Sequence, residues 1–158
     1  MIAGDALPTL EAPRVRLRGL TERDVDALFA IFSDEVMMRF QWGVERNEDG
    51  EILGTCTLFS IHRDSKRAEL GYCLRSPYWR KGYMSEALTA LIDYAFATLK
   101  LRRLEADVDP GNAGSVRLLE RMGFTREGLL RERWDVGGQI GDTAFFGLLA
   151  REWRGRPA

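Results

Sequence analysis

The sequence predicts an α/β (α+β) domain with a mixed, mostly antiparallel central sheet of about seven strands flanked by helices. Three observations lead there. Apolar residues alternate with period two in several short stretches, they recur at helical spacing in others, and the stretches follow the order β-α-β-β-β-α-β-α-β-β. At 158 residues and 45% hydrophobic content the chain has the size of one compact domain, residues 1–158. No internal repeat, low-complexity tract or interdomain linker interrupts it.

The first strand is Arg14-Val15-Arg16-Leu17-Arg18, which alternates as a half-exposed strand does. Thr21 then stands where it can cap a helix opening on Glu22-Arg23-Asp24, with Val25, Leu28, Phe29 and Phe32 on one stripe. That helix is expected to end between Ser33 and Phe40. Residues 42–46 and 52–61 read as antiparallel strands joined by Asn47-Glu48-Asp49-Gly50, whose Asn, Asp and Gly tolerate tight backbone geometry. A third strand covers Arg67–Leu74, and Pro77 ends it. From Gly82 onward Met84, Leu88, Leu91, Ile92, Ala95 and Leu99 mark the longest helix. Leu104, Ala106 and Val108 define a strand stopped by Asp109-Pro110-Gly111, and Val116, Leu119 and Met122 a short helix ended by Gly123. Two strands, residues 124–134 and 142–149, close the chain across Gly137-Gly138.

Charge and cysteine usage narrow the function. The formal net charge is -1, from 23 Lys and Arg against 24 Asp and Glu, so no global field draws the protein to nucleic acid or to an anionic membrane. Neither is an expected partner, and any anion site must be built locally. Cys56 and Cys73 lie in apolar strand-like runs rather than at ligand spacing, which argues against a disulfide framework and against zinc. No metal is expected. The start of the chain lacks a basic segment followed by an apolar one, and no apolar run is long enough to span a bilayer. The expected compartment is the cytoplasm.

The chemistry concentrates at two places. The first is the turn through Pro77-Tyr78-Trp79-Arg80-Lys81-Gly82 and the helix after it. A helix start offers N–H groups without intrahelical partners and the positive end of a macrodipole, and Gly82 lets a phosphate approach the main chain. Arg80 and Lys81 add full charges, although a surface turn with two solvated bases has the same sequence. The second place is Asn112-Ala113-Gly114-Ser115, followed by Leu118-Leu119-Glu120-Arg121-Met122-Gly123-Phe124.

Together these segments resemble the GNAT acetyltransferases, in particular the RimJ/RimL-like branch. The family's pyrophosphate motif, Arg/Gln-x-x-Gly-x-Gly/Ala, is matched by Trp79-Arg80-Lys81-Gly82-Tyr83-Met84, continued by Ser85-Glu86-Ala87-Leu88. Trp79 replaces the first polar residue and Met84 the last small one. The Asn-x-x-Ser and Leu-Glu-Arg-x-Gly-Phe segments are similar to the family's next signature. The resemblance implies the GNAT acyl-CoA N-acyltransferase fold and acetyl-CoA as co-substrate. It further implies cofactor contacts from Cys73, Leu74, Arg80, Lys81, Gly82, Tyr83, Met84, Ser85, Asn112 and Ser115. Family members carry a second helix before the strand matching residues 42–46, and Phe40-Gln41-Trp42 leaves no room for it. A segment missing at this junction is expected, with an open acceptor cleft as the alternative.

The implied reaction is direct transfer of acetyl from acetyl-CoA to a primary amine, a protein N-terminus or a small amine, in a ternary complex. Amine attack needs a base, and Glu69 and Glu132 are the candidates, each also readable as an exposed or ion-paired carboxylate. Many GNAT proteins place a Tyr proton donor where this chain has Leu119, and the resemblance points to Ser115 instead, whose other role is helix capping. A non-catalytic acyl-CoA-binding module is the alternative from another class. A generic nucleotide-binding protein is disfavoured, because neither a Gly-x-x-x-x-Gly-Lys-Ser/Thr loop nor a Rossmann glycine triplet occurs. His62 has no Cys or second His nearby for a metal. Trp134, Phe145, Phe146 and Trp153 are assigned to packing or to a homodimer contact.

Overall fold

A computed structural model describes residues 7–24, 27 and 40–155. Among these residues the chain forms one eight-stranded sheet: β1 (Leu10–Glu11), β2 (Val15–Gly19), β3 (Gln41–Arg46), β4 (Ile52–His62), β5 (Arg67–Leu74), β6 (Arg103–Val108), β7 (Thr125–Val136) and β8 (Gln139–Leu149). The strand order is β1-β2-β3-β4-β5-β6-β8-β7. Every neighbouring pair is antiparallel except β5 and β6, which run parallel because a helical crossover joins them. That crossover contains α1 (Tyr83–Asp93), and α2 (Ala113–Arg121) follows β6.

One face of the sheet is apolar. Val15, Leu17, Trp42, Val44, Cys56, Leu58, Ala68, Leu70, Leu104, Ala106, Ala144, Phe146 and Leu148 are all buried in one cluster with Met84, Leu88, Leu91 and Ile92 of α1 and Leu119 of α2. These are the alternate positions of each strand, as period-two patterning requires. The opposite face carries ion pairs. Arg18 bonds Asp24 through both terminal nitrogens, each at 2.8 Å, and also reaches Glu45, which Arg16 contacts as well. Asp24 and Glu45 are buried, so the two arginines offset the cost of taking carboxylates out of water.

Four boundaries differ from the sequence reading. The two-residue β1 adds an eighth strand, and two residues are too few to show an alternating pattern. The long helix changes at Tyr94–Thr98 into a π-helical turn, whose wider spacing hides inside a 3.6-residue repeat. The α2 helix begins three residues before Val116, since Asn112 caps it by accepting a hydrogen bond from the Ser115 N–H at 3.1 Å. The terminal hairpin is longer, with Gly137 and Gly138 both at positive φ in its turn. The helix expected to carry Val25, Leu28, Phe29 and Phe32 lies outside the described residues. Before it, Glu22–Asp24 form one 3-10 turn in which the Asp24 carboxylate accepts from the Thr21 N–H at 2.8 Å. The junction where a helix was expected to be missing falls partly outside the described residues too, and β3 starts at Gln41.

Candidate active site

The sheet opens at one place. The β5–β6 ladder pairs Arg67, Ala68 and Glu69 with Arg103, Leu104 and Glu105 and stops there, while the β4–β5 ladder continues to Gly54↔Leu74. The end of β5 is therefore held on one side only. The Arg75 N–H donates to the Leu53 carbonyl at 2.9 Å, toward β4. The N–H and C=O of one strand residue point to the same side and successive residues alternate, so those of Leu74 face the gap and those of Cys73 face β4. Of the two residues expected to offer main-chain groups to a ligand, Leu74 has that orientation. Its carbonyl accepts from the Trp79 indole N–H at 2.6 Å. Trp79 is 60% exposed, so it lies at the surface of this opening rather than in the core.

Gly54 lies opposite Leu74 at this end of β5. A β-carbon there would lie 2.1 Å from the Cys73 carbonyl oxygen and 2.9 Å from the Leu74 Cα, closer than any side chain tolerates. The missing side chain lets the end of β5 approach β4 closely, at the stretch where β5 has no partner in β6. At Gly71 the approach is less tight, a β-carbon meeting the Phe59 ring at 3.2 Å.

The turn after β5 leads into the start of α1. Arg80 has φ 61° and Gly82 has φ 82°, two left-handed residues that swing the chain back onto the sheet. Gly82 caps α1 and has no side chain to satisfy the first amides, which belong to Tyr83, Met84 and Ser85. Met84 does not obstruct them. Its side chain is buried with its sulfur 3.6 Å from that of Cys56, so the bulk that departs from the family pattern points into the core. Cations gather around the turn: the Arg46 and Arg75 guanidinium carbons and the Lys81 ammonium lie 5.4, 5.5 and 5.8 Å from the Tyr78 ring centre. Glu51 binds this group, accepting from Tyr78 Oη at 2.5 Å and from Arg75 at 2.9 Å.

Across the gap, the Tyr72 hydroxyl makes a long 3.5 Å contact to the Ser115 carbonyl, tying β5 to the first turn of α2. Burial raises the Tyr72 phenol above its ordinary pKa and raises the Cys73 thiol as well, which disfavours a thiolate nucleophile. Ser115 is half-buried and sits inside α2, because Asn112 takes the capping position. Leu119 is fully buried. Glu69 is half-buried on the last paired rung of β5, opposite Phe59 on β4 and Glu105 on β6. Glu132 lies two strands from β6, in an irregular stretch of β7 at φ 51°, with its N–H donating to Asp142 at 2.8 Å. The structure thus ties Leu74 to the turn before α1 through Trp79 and Ser115 to β5 through Tyr72, puts Glu69 further back on β5 on the strand face opposite Tyr72 and Leu74, and leaves Glu132 on the outer hairpin. His62 is exposed at the end of β4, Phe146 is in the core, and the Trp153 indole bonds Asp93 at 2.6 Å.

Two contributors were not found from the sequence. Gly54 had a signal, since an isolated glycine inside an apolar strand marks a close backbone approach. Arg14 had none. It joins the turn from 72 residues away in the chain, donating from Nε to Glu86 at 2.7 Å and from Nη2 to the Lys81 carbonyl at 2.8 Å.

The end of the β5–β6 ladder thus lies beside a turn where Arg46, Arg75 and Lys81 surround Tyr78, the first two ion-paired with Asp49 and Glu51. Residues 38–125 match the family described as Acetyltransferase (GNAT) domain, and the chain belongs to that family. It is an acetyl-CoA-dependent acyltransferase. The chain is 33% identical to the uncharacterized N-acetyltransferase p20 of Bacillus licheniformis, over 94% of this chain and all of that one. That alignment runs over 178 positions, so the relative carries residues without a counterpart in these 158. The chain is also 34% identical to the Escherichia coli (strain K12) [ribosomal protein uS5]-alanine N-acetyltransferase, over 72% of this chain and 59% of that one. Among solved structures, a GNAT-family acetyltransferase from Bacillus anthracis superposes with a TM-score of 0.80 at 23% identity, over 92% of this chain and all of that one, a likeness of fold. No helix among the described residues is long and apolar enough to cross a membrane.

Proposed function

We propose that this protein transfers acetyl from acetyl-CoA to a primary amine, with the diphosphate on the turn at residues 80–85 and the pantetheine arm along the open side of β5. The observation that carries this reading is the end of the β5–β6 ladder at Glu69↔Glu105. Beyond it the Leu74 N–H faces the gap as a donor for a ligand amide or for the oxyanion of a tetrahedral intermediate. Arg80, Lys81 and the amides of Gly82, Tyr83, Met84 and Ser85 take the phosphates. The Cys73 side chain, on the strand face shared with Glu69 and Gly71, contributes contact surface rather than main-chain bonds.

Transfer proceeds by direct attack in a ternary complex. The amine loses a proton to Glu69, or to Glu132 if the hairpin arm frames the acceptor. Ser115 supplies the hydroxyl that hydrogen-bonds the departing thiolate, since Leu119 offers none. Asn112 keeps Ser115 in place by capping α2. The preferred acceptor class is a protein N-terminal amine, supported by the similarity to the uS5-alanine enzyme, with small amines as the competing class. A segment absent near residue 40 would account for residues that the Bacillus licheniformis relative has in excess of these 158. The unpaired Cys56 and Cys73 suit a reducing cytoplasm.

The test is mass spectrometry of a panel of peptides with free N-termini, polyamines and aminoglycosides after incubation with acetyl-CoA. Acetylated peptide amines are expected. Cofactor binding with no amine modified would favour a non-catalytic acyl-CoA-binding module, and absence of CoA binding would remove the reading altogether.

A further inference from the structure

Arg14 lies in the link between β1 and β2 and is anchored on the opening turn of α1. Its Nε donates to Glu86 Oε1 at 2.7 Å, its main-chain N–H to Glu86 Oε2 at 2.9 Å and its Nη2 to the Lys81 carbonyl at 2.8 Å. The guanidinium sits 4.7 Å above the Tyr83 ring, and a β-carbon at Gly82 would lie 3.0 Å from Nη2. One side chain from the β1–β2 link therefore reaches Lys81, Tyr83 and Glu86 and lies beside Gly82, at the middle of the turn on which the diphosphate is placed above.

Two physical consequences follow. Glu86 is a buried carboxylate in the first turn of α1, beside the end where the helix dipole favours anions. Its negative charge opposes a phosphate bound there, and the Arg14 guanidinium cancels it at contact distance. The bond to Lys81 also fixes a peptide plane. In a trans peptide the C=O and the following N–H point oppositely, so holding the Lys81 carbonyl on Arg14 turns the Gly82 N–H away from Arg14. Half of the Arg14 side chain remains exposed, so the contact is made at the surface of the turn and not inside the core.

We infer that Arg14 is a positioning residue for the diphosphate turn: it neutralises Glu86 and orients the Lys81–Gly82 peptide, so that the start of α1 stays receptive to an anion. This rests on the reading that the turn holds the diphosphate of acetyl-CoA, and it acts only on ligands that carry that group. S-Acetylpantetheine, which ends before the diphosphate, does not sense it.

The experiment uses the full chain and its Arg14→Gln, Glu86→Gln and Arg14→Gln/Glu86→Gln variants, with CoA affinity from calorimetry and kcat/KM measured with acetyl-CoA and with S-acetylpantetheine. Arg14→Gln is expected to weaken CoA binding by about tenfold or more, as uncompensated like charge does. Its kcat/KM with S-acetylpantetheine stays at the wild-type value. Adding Glu86→Gln restores most of the lost affinity, and Glu86→Gln alone binds CoA at least as tightly as wild type. If Arg14→Gln does not fold, the single Glu86→Gln variant still decides, because a tenfold loss there contradicts the charge argument. Equal losses for both acyl donors, or no recovery in the double variant, would reduce Arg14 to a structural role. A wild-type chain that binds no CoA overturns the proposed function with it, whereas unchanged CoA affinity in Arg14→Gln overturns the role of Arg14 alone.

Discussion

The two halves of β5 differ more than their sequence does. Arg67 to Glu69 are laddered to β4 on one side and to β6 on the other, and Arg67 is ion-paired with Glu105 at 2.8 Å. Leu70 to Leu74 keep the β4 ladder and lose the other. A sheet edge inside a domain is ordinarily a liability, since unpaired N–H and C=O groups seek partners. Here the Leu74 carbonyl is met by the Trp79 indole, and the proposed function gives the rest of the opening to the pantetheine arm. The difference teaches that the second half of β5 is set apart by the loss of a backbone partner strand.

The largest expected effect concerns the boundary residue between the halves. Glu69→Gln should lower kcat at neutral pH by roughly 10²- to 10⁴-fold, the usual contribution of a general base, with CoA affinity unchanged. Glu132→Gln should change it far less. Steady-state kinetics with an accepted amine checks both, and the reverse ranking would move the base from β5 to the hairpin. Next is Gly54→Ala, which sets a β-carbon against the Cys73 carbonyl. We expect a loss of about 1–3 kcal/mol in urea unfolding, as overpacking against backbone produces, together with weaker CoA binding. Unchanged values for both would mean that the close approach to β4 does not shape the opening.

A control comes from the other face of the sheet. Hydrogen bonding from Arg18 holds the Asp24 carboxylate at about 2, below its ordinary 3.8. A depressed pKa stabilises the fold above the unfolded value, so roughly 2 kcal/mol should disappear as pH falls from about 4 toward 2. In Asp24→Asn that part of the acid-unfolding curve should flatten, with CoA affinity at neutral pH unaltered because the network is remote from β5. The smallest effect belongs to Trp79→Phe. Loss of the indole donor to Leu74 should cost about 1 kcal/mol or less in stability. If cofactor binding instead improves several-fold in calorimetry, the indole competes with the ligand for the open half of β5.

Much of the candidate site proposed above rests on features that the sequence displays. Gly82 between two basic residues and a helical repeat marked the anion turn, and Asn112 with Ser115 marked the second helix start. The sequence also placed Glu69 on the correct strand. It could not tell which of Cys73 and Leu74 faces the gap, because that depends on register with β4, nor that Asn112 rather than Ser115 caps α2.

What the chain determines by itself is what local periodicity and turn chemistry encode: seven of the eight strands, the two helices after β5 and β6, the charge placed at residues 80 and 81, and the family. Tertiary structure alone decided where the β5–β6 ladder ends, which peptide groups are left facing the opening, and that Arg14 braces a turn far along the chain. Those outcomes depend on how closely β4 approaches β5 and on contacts between segments distant in sequence. No window of neighbouring residues carries that information.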